Sequence, residues 1–245
     1  MNLLGIEFNT LVAAALGGIV PTILWLKFWW RDDGHDHGKG IIILTFVAGM
    51  VSVIVALPSE QFIAGLFYDI NHTIISAATI EEFLKFIIVA MIAFGAYSIK
   101  GPTDYARYLI TGALGFAALE NTLFLIEPIV QQDFAISFLT GNLRFLGATV
   151  LHTVASASIG VVIGLAWEKS YFSKLVHAFF GLLTAVTLHT LFNFFIIKGT
   201  TQSMITVFAL LWVSAIVLLV IFEKLNQVSR HKEYLINKLQ ENHYV

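Results

Sequence analysis

The stretch SMITVFALLWVSAIVLLVIF, residues 203–222, runs for twenty residues without a charged side chain. A transmembrane helix needs about 20 predominantly apolar residues to cross the hydrocarbon core of a bilayer. The whole chain has the same character, since 58% of its 245 residues are hydrophobic, 12% are charged and none is cysteine. About a quarter of the residues are charged in soluble domains. The composition therefore excludes an ordinary soluble domain and any site that needs a thiolate.

Six further apolar runs are long enough to approach or reach the length of a membrane span. They lie near residues 8–30, 41–57, 72–97, 106–127, 143–167 and 174–197. We therefore predict an all-α fold, a polytopic membrane helix bundle of about seven transmembrane helices. Residues 1–223 are predicted to form one integral membrane domain, and residues 224–245 a polar helical tail. Pro21 is the one proline expected in a helix interior.

The lysines and arginines lie at alternate ends of these runs. One set of ends carries Lys27, Arg31, Lys39, Lys100, Arg107, Lys169, Lys174, Lys224, Arg230, Lys232 and Lys238, whereas the loops near 58–71, 128–142 and 198–202 carry only Lys198. Cytoplasmic loops hold the excess of positive charge. This pattern predicts an outside N-terminus and a cytoplasmic tail. The chain has no basic run and a net charge of −2, so no nucleic-acid partner is expected.

Ionisable side chains inside predicted spans are few, and such residues normally face the bundle interior because charge in hydrocarbon is costly. The polar candidates are Glu81, Glu82, Lys85, Glu120, Asn121, His152, His189 and Asn193. At a rise of 1.5 Å per residue, Glu81, Glu120, His152 and His189 each fall about 10–15 Å from the predicted outer end of their helix. Four helices therefore place polar groups in one layer.

The side of the helix on which each of these groups lies follows from helical periodicity, because residues four positions apart share one side. His152 is followed at this spacing by Ser156, Gly160 and Gly164, and small residues of this kind mark close helix packing. His189 lies on a similar stripe, so both histidines are expected to face protein. Lys85 is one turn from Glu81 and Glu82 and can neutralise one carboxylate, which leaves the other free to act.

Two imidazoles and a carboxylate are a common ligand set for catalytic Zn²⁺. Glu120, His152 and His189 are the predicted metal ligands, with Glu81 or Glu82 as the general base that activates water. Asn193, one turn from His189, can donate a hydrogen bond to a developing oxyanion. Lys85, Phe116 and Asn121 are predicted to support these groups. Together they suit the hydrolysis of an amide.

Four short motifs occur in order on successive predicted helices. They are Glu81-Glu82-Phe83-Leu84-Lys85, Phe116-Ala117-Ala118-Leu119-Glu120, His152 with Gly160 eight residues later, and His189-Thr190-Leu191-Phe192-Asn193. Over residues 72–197 this set resembles the PrsW family of bacterial intramembrane proteases, which is similar to the type-II CAAX prenyl proteases. EExxK in place of EExxxR, and Glu120 in place of histidine, argue against a prenylated substrate.

The resemblance implies a multi-pass protease of the bacterial plasma membrane that cleaves a membrane-embedded or membrane-proximal protein. The expected substrate is a single-span protein such as an anti-sigma factor, cut near its extracytoplasmic side. The resemblance leaves open a metal-free mechanism in which glutamate activates water and His and Asn bind the oxyanion. An ion- or proton-coupled transporter would also keep Glu, Lys and His in the membrane. A non-enzymatic scaffold is the third alternative.

Overall fold

The computed structural model describes residues 6–30, 38–67, 69–94 and 98–243, with side chains described as far as residue 231. These residues form eight α-helices and confirm the predicted all-α class. The helices are α1 (Phe8–Trp29), α2 (Lys39–Ala64), α3 (Ile70–Val89), α4 (Asp104–Val130), α5 (Phe134–Leu143), α6 (Thr149–Leu165), α7 (Tyr171–Lys198) and α8 (Thr201–His243). Most of the predicted polar loop, residues 31–37, lies outside the described residues.

Six helical segments of the described chain are long and apolar enough to cross a membrane, which confirms a multi-pass membrane protein. They comprise α1, α2, α4, α7, α8 and the continuous segment Phe134–Leu165, in which a π-helical turn, Arg144–Ala148, joins α5 to α6. Helix α3 is the seventh predicted span. It has 20 residues but carries Glu81, Glu82 and Lys85, and these charges lower its apolar character.

Two details of the sequence reading were wrong. Pro58 and Pro128 also lie within helices, in α2 and α4, so Pro21 is not the one proline in a helix interior. The predicted loop 128–142 is largely helical, because α5 begins at Phe134 with the Asp133 carboxylate accepting a hydrogen bond from the Ile136 backbone N–H. Such capping satisfies a donor that a helix start leaves unpaired.

Helices α4 and α6 form the centre of the bundle, with α4 contacting α1, α2 and α6, and α6 contacting α7 and α8. Glycines allow these close approaches. A Cβ atom on Gly160 of α6 would lie 2.3 Å from the Cα of Ala106, and one on Gly181 of α7 would lie 2.8 Å from the Cα of Ile159. The stripes of small residues therefore face neighbouring helices, and they draw α6 and α7 together beside their histidines.

Replacing Gly49 with alanine is expected to destabilise the bundle by about 1–3 kcal/mol, the usual cost of overpacking. A Cβ atom there would lie 2.0 Å from the Gly112 carbonyl oxygen, so α2 and α4 would have to separate. Gly40→Ala in the first turn of α2 is the matched control, since its Cβ would meet nothing within 4 Å. Thermal unfolding in detergent measures both. Equal midpoint temperatures of unfolding for the two variants would contradict a close α2–α4 contact at Gly49.

Helix α3 is fixed at its first turn. The Asp69 carboxylate caps the helix by accepting a hydrogen bond from the Asn71 backbone N–H, and this bond lowers the pKa of Asp69 below its ordinary 3.8. The Lys198 ammonium at the end of α7 donates to the Asn71 side chain over 2.6 Å. These contacts align the start of α3 with the end of α7, and so bring the inward-facing turns of both helices to one level.

Candidate active site

Helix α3 supplies three buried ionisable side chains within two turns. Glu81 is 6% exposed, Glu82 is fully buried and Lys85 is 1% exposed. The Lys85 ammonium lies 2.5 Å from Glu82 Oε1 and 3.9 Å from Glu81 Oε2. Lys85 therefore pairs closely with Glu82, and Glu81 Oε2 keeps no hydrogen-bond partner within the described chain. One carboxylate is thus neutralised and the other is left available, as the spacing predicts.

His189 enters from α7 and contacts both acids. Its Nδ1 lies 2.7 Å from Glu82 Oε1, and its Nε2 lies 3.9 Å from Glu81 Oε2. Since a carboxylate accepts hydrogen bonds, Nδ1 is the donor of this bond, and Nε2 forms no hydrogen bond within the described chain. A carboxylate that holds one imidazole nitrogen in this way orients the other nitrogen for a metal ion or a reacting group. Glu82 therefore positions His189.

His152 enters from α6 and is 2% exposed. Its Nδ1 lies 2.9 Å from the Lys85 ammonium, and its Nε2 lies 2.9 Å from Glu120 Oε2. An ammonium can only donate, so Nδ1 is the acceptor and the Nε2–H group donates to Glu120. The rings of His152 and His189 pack edge to face with centroids 5.2 Å apart. The structure thus joins α3, α4, α6 and α7 at one level.

Glu120 is paired with Arg144, whose guanidinium donates to Glu120 Oε2 over 2.5 Å and to Asn121 Oδ1 over 2.7 Å. Asn121 in turn donates to the Thr149 hydroxyl over 2.9 Å. Arg144 opens the π-helical turn that precedes α6, and such turns are frequent at functional sites. Arg144, which follows α5, and Thr149, the first residue of α6, therefore connect α4 to α6. Arg144 also holds Glu120 beside His152.

Three of these residues can approach a single metal ion. Glu81, His152 and His189 each offer a ligand atom, and all three atoms lie within 4.8 Å of one another. Nitrogen and oxygen donors of one tetrahedral Zn²⁺ ion are about 3.4 Å apart, so side-chain rotations that bring the three atoms closer would close the group. The unpartnered Glu81 Oε2 supports this fit. The acid in this group is Glu81, where the sequence predicts Glu120; Glu120 lies next to it, bound to Arg144 and His152.

The other predicted residues surround this centre. The Phe116 ring lies 5.1 Å from the His152 ring, centroid to centroid, and 4.5 Å from the Lys85 ammonium. Asn193 is half-buried one turn beyond His189 and forms no hydrogen bond with the described residues. Its amide is therefore available to a ligand, and the oxyanion role stays a prediction.

Sequence reasoning did not find Glu60, a half-buried carboxylate near the end of α2. It lies in a segment of mixed polar and apolar residues, Ser59–Asp69, that fits a position along the membrane interface equally well. Helix α2 instead continues through Ala64 and carries Glu60 against the bundle. The available signal was the distance of Glu60 from the preceding apolar run, which is short enough for one continuous helix.

Membrane-length helices around a buried centre of glutamates and histidines define a membrane-embedded hydrolase. Comparison with known proteins gives its family. Residues 37–222 match the model of the PrsW family intramembrane metalloproteases. The chain therefore belongs to the PrsW family, as the sequence motifs indicate, and it is an intramembrane protease.

Individual relatives agree with this assignment. Protease PrsW of Oceanobacillus iheyensis is 27% identical over 207 residues, which cover 81% of this chain and 91% of the relative. Protease PrsW of Bacillus subtilis is 28% identical over 163 residues, or 64% and 68% of the two chains. Protease PrsW of Shouchella clausii is 23% identical over 220 residues, or 84% and 95%. No solved structure gives a significant match.

Proposed function

We propose that this chain hydrolyses a peptide bond of a single-span membrane protein with Glu81, His152 and His189 as the reactive centre. The observation that carries the proposal is the convergence of buried carboxylates and imidazoles from separate helices of a membrane bundle. Ionisable groups at membrane depth are costly, and they usually mark a functional pathway or site. Their contacts here leave Glu81 Oε2 and His189 Nε2 facing each other without a hydrogen bond.

The roles follow from these contacts. Glu81 is a ligand of the ion when a metal is bound and the base that acts on the attacking water in a metal-free centre, since its Oε2 has no hydrogen-bond partner in the described chain and lies 3.9 Å from Nε2 of His189. Glu82 positions His189 and Lys85, and Lys85 balances the buried negative charge. Asn193 donates to the oxyanion that forms on the substrate carbonyl, because its amide has no other partner in the described chain.

The family description as metalloproteases fits the donor set. Glu81, His152 and His189 would hold the ion, and we propose Zn²⁺ because two imidazoles and a carboxylate suit it. When bound, Zn²⁺ supplies a Lewis acid and lowers the pKa of a bound water to about 7. The His152 imidazole would exchange one of its two present partners, Lys85 or Glu120, for the ion. In the metal-free alternative, Glu81 takes the proton of the water directly.

The placement of lysine and arginine supports an outside N-terminus and a cytoplasmic C-terminal tail. In that orientation the centre lies in the extracytoplasmic half of a bacterial plasma membrane. The substrate class we propose is therefore a single-span protein with its cleaved segment near that surface. An anti-sigma factor is the example that the family resemblance implies.

Cleavage by the purified chain in proteoliposomes tests this function. A panel of single-span membrane proteins that includes anti-sigma factors is incubated with the chain, and the products are mapped by mass spectrometry. We expect a cut inside a span or close to its end, loss of cleavage with a zinc chelator, and recovery on adding Zn²⁺. Cleavage that survives chelation in a metal-free preparation would favour the metal-free mechanism. No cut in any panel member, or equal cutting by the Glu81→Gln variant, would overturn the proposal.

A further inference from the structure

Each imidazole of the centre is held by a carboxylate through one of its nitrogens. His152 Nε2 donates to Glu120 Oε2 over 2.9 Å. His189 Nδ1 donates to Glu82 Oε1 over 2.7 Å. A histidine that binds a metal ion uses one nitrogen for the ion and usually donates the N–H group of the other to a carboxylate, a carbonyl or water. The nitrogens that remain for an ion are therefore His152 Nδ1 and His189 Nε2.

The Lys85 ammonium lies against one of these two nitrogens. It donates a hydrogen bond to His152 Nδ1 over 2.9 Å. The same ammonium lies 3.9 Å from Glu81 Oε2, which has no hydrogen-bond partner in the described chain. Glu81 Oε2 lies 3.9 Å from His189 Nε2 in turn. Lys85 therefore places a positive charge beside two of the three groups that would hold a metal ion.

The ammonium and a metal ion cannot share these groups. The lone pair of His152 Nδ1 accepts one partner, so an ion bound there takes the place of the ammonium. Lys85 is 1% exposed and Glu81 is 6% exposed, so water screens little of the repulsion between two cations at this position. An ion can therefore bind to His152 Nδ1 only if the Lys85 ammonium moves away from it.

Lys85 has other partners that do not depend on His152. Its ammonium lies 2.5 Å from Glu82 Oε1 and 4.5 Å from the centroid of the Phe116 ring. A lysine side chain is flexible, and an ammonium is attracted to the face of an aromatic ring. Displacement from His152 therefore does not leave the charge of Lys85 buried without a partner.

We propose that Lys85 is an internal competitor of the metal ion, and that a bound ion displaces its ammonium from His152 Nδ1 and Glu81. This inference rests on the proposed function, because it concerns the ion of that same centre. It decides which partner His152 exchanges, since Lys85 is displaced and Glu120 stays. Lys85 thus sets the affinity of the centre for a divalent cation, beyond balancing the charge of Glu82.

The zinc affinity of the full chain in detergent tests this inference without a measurement of cleavage. Zn²⁺ is titrated in competition with a chromophoric chelator of known affinity, for the wild-type protein and for Lys85→Met. Methionine fills a similar volume without a charge. We expect the Kd for Zn²⁺ to fall about tenfold or more in the variant, because a buried like charge is removed from the position of the ion. An unchanged or higher Kd would overturn the proposal.

Arg144→Met is the matched control, because Arg144 is also a cation bound to a carboxylate of the centre, Glu120. In the described chain Arg144 forms no hydrogen bond or ion pair with Glu81 or His152. We expect no gain in zinc affinity for this variant, and none for Lys85→Arg, which keeps the charge. A gain for Arg144→Met equal to that of Lys85→Met would show a general effect of nearby charge and would contradict competition for one position.

Thermal unfolding provides the second readout. Without Zn²⁺, Lys85→Met should unfold at a lower temperature than the wild type, because Glu82 loses the ammonium that it contacts. At one free Zn²⁺ concentration the ion should raise the midpoint of the variant more than that of the wild type, since tighter binding stabilises the folded state more. Equal shifts would contradict the inference. If Lys85→Met does not fold, the same differences are expected between Lys85→Met with Glu82→Gln and Glu82→Gln alone.

These outcomes are separable from failure of the proposed function. If substrates are cleaved and Lys85→Met does not lower the Kd for Zn²⁺, the proteolytic centre stands and the role of Lys85 is wrong. If Lys85→Met binds Zn²⁺ more tightly but the wild type cleaves no substrate, the ion site and its competitor stand and the proteolytic role is wrong. If neither protein binds Zn²⁺, the inference is wrong and the metal-free mechanism is favoured.

Discussion

The Glu81→Gln variant is expected to lose cleavage activity by about two to four orders of magnitude, the usual contribution of a positioned acid or base. Its stability should not fall. Glu81 is buried and its Oε2 has no hydrogen-bond partner in the described chain, so a neutral amide at this position removes the cost of burying an unpaired charge. The variant should therefore unfold at the same temperature as the wild-type protein or at a higher one. Peptide cleavage in proteoliposomes and thermal unfolding in detergent measure the two effects.

The adjacent substitution Glu82→Gln is the matched control for this prediction. Glu82 accepts hydrogen bonds from the Lys85 ammonium and from His189 Nδ1, so the amide would remove the charge that both donors contact. Activity and stability should then fall together. A Glu81→Gln protein that unfolds at as low a temperature as Glu82→Gln would show a structural role for Glu81. It would contradict the proposal that Glu81 takes part in the reaction while Glu82 positions His189 and Lys85.

Replacing Lys85 with methionine is expected to destabilise the protein by about 3–5 kcal/mol, the cost of removing one partner from a buried ion pair. The Lys85 ammonium lies 2.5 Å from Glu82 Oε1 and 2.9 Å from His152 Nδ1, and the side chain is 1% exposed. Methionine fills a similar volume but leaves Glu82 charged in a dry environment. Unfolding in detergent with increasing denaturant measures the loss.

The double variant Lys85→Met with Glu82→Gln separates the charge effect from packing. Because the two side chains are in direct contact, their effects should not add, and the double variant should be more stable than Lys85→Met alone. If the losses in the free energy of unfolding of the two single variants add up to that of the double variant within about 0.5 kcal/mol, Lys85 acts through its contact with Phe116 or through packing, and not through the ion pair.

The level at which the polar groups meet could be predicted from the sequence, because it depends on span direction and the rise per residue. His152 and His189 are accordingly in contact. The rotation of each helix about its own axis could not be predicted from the sequence pattern. Adjacent Glu81 and Glu82 diverge by about 100°, and only the packing of α3 against α7 decides which one His189 Nδ1 contacts.

The partner of Glu120 could not be predicted for a different reason. The sequence pattern predicts a loop at residues 128–142, whereas α5 and the following π-helical turn carry Arg144 back to α4. Glu60 was missed because a polar end of a helix and an interfacial segment have the same composition. Both errors concern helix ends, where caps and tertiary contacts outweigh the hydrophobic pattern.

We propose that Glu81 and His189, from different helices, act on the same water as one unit. The most direct measurement is kcat/KM for cleavage by Glu81→Gln, by His189→Gln and by the double variant. Residues that act as a unit have strongly non-additive effects. The double variant should therefore be no slower than the slower single variant. Losses that multiply, or substantial cleavage by either single variant, would contradict a shared centre.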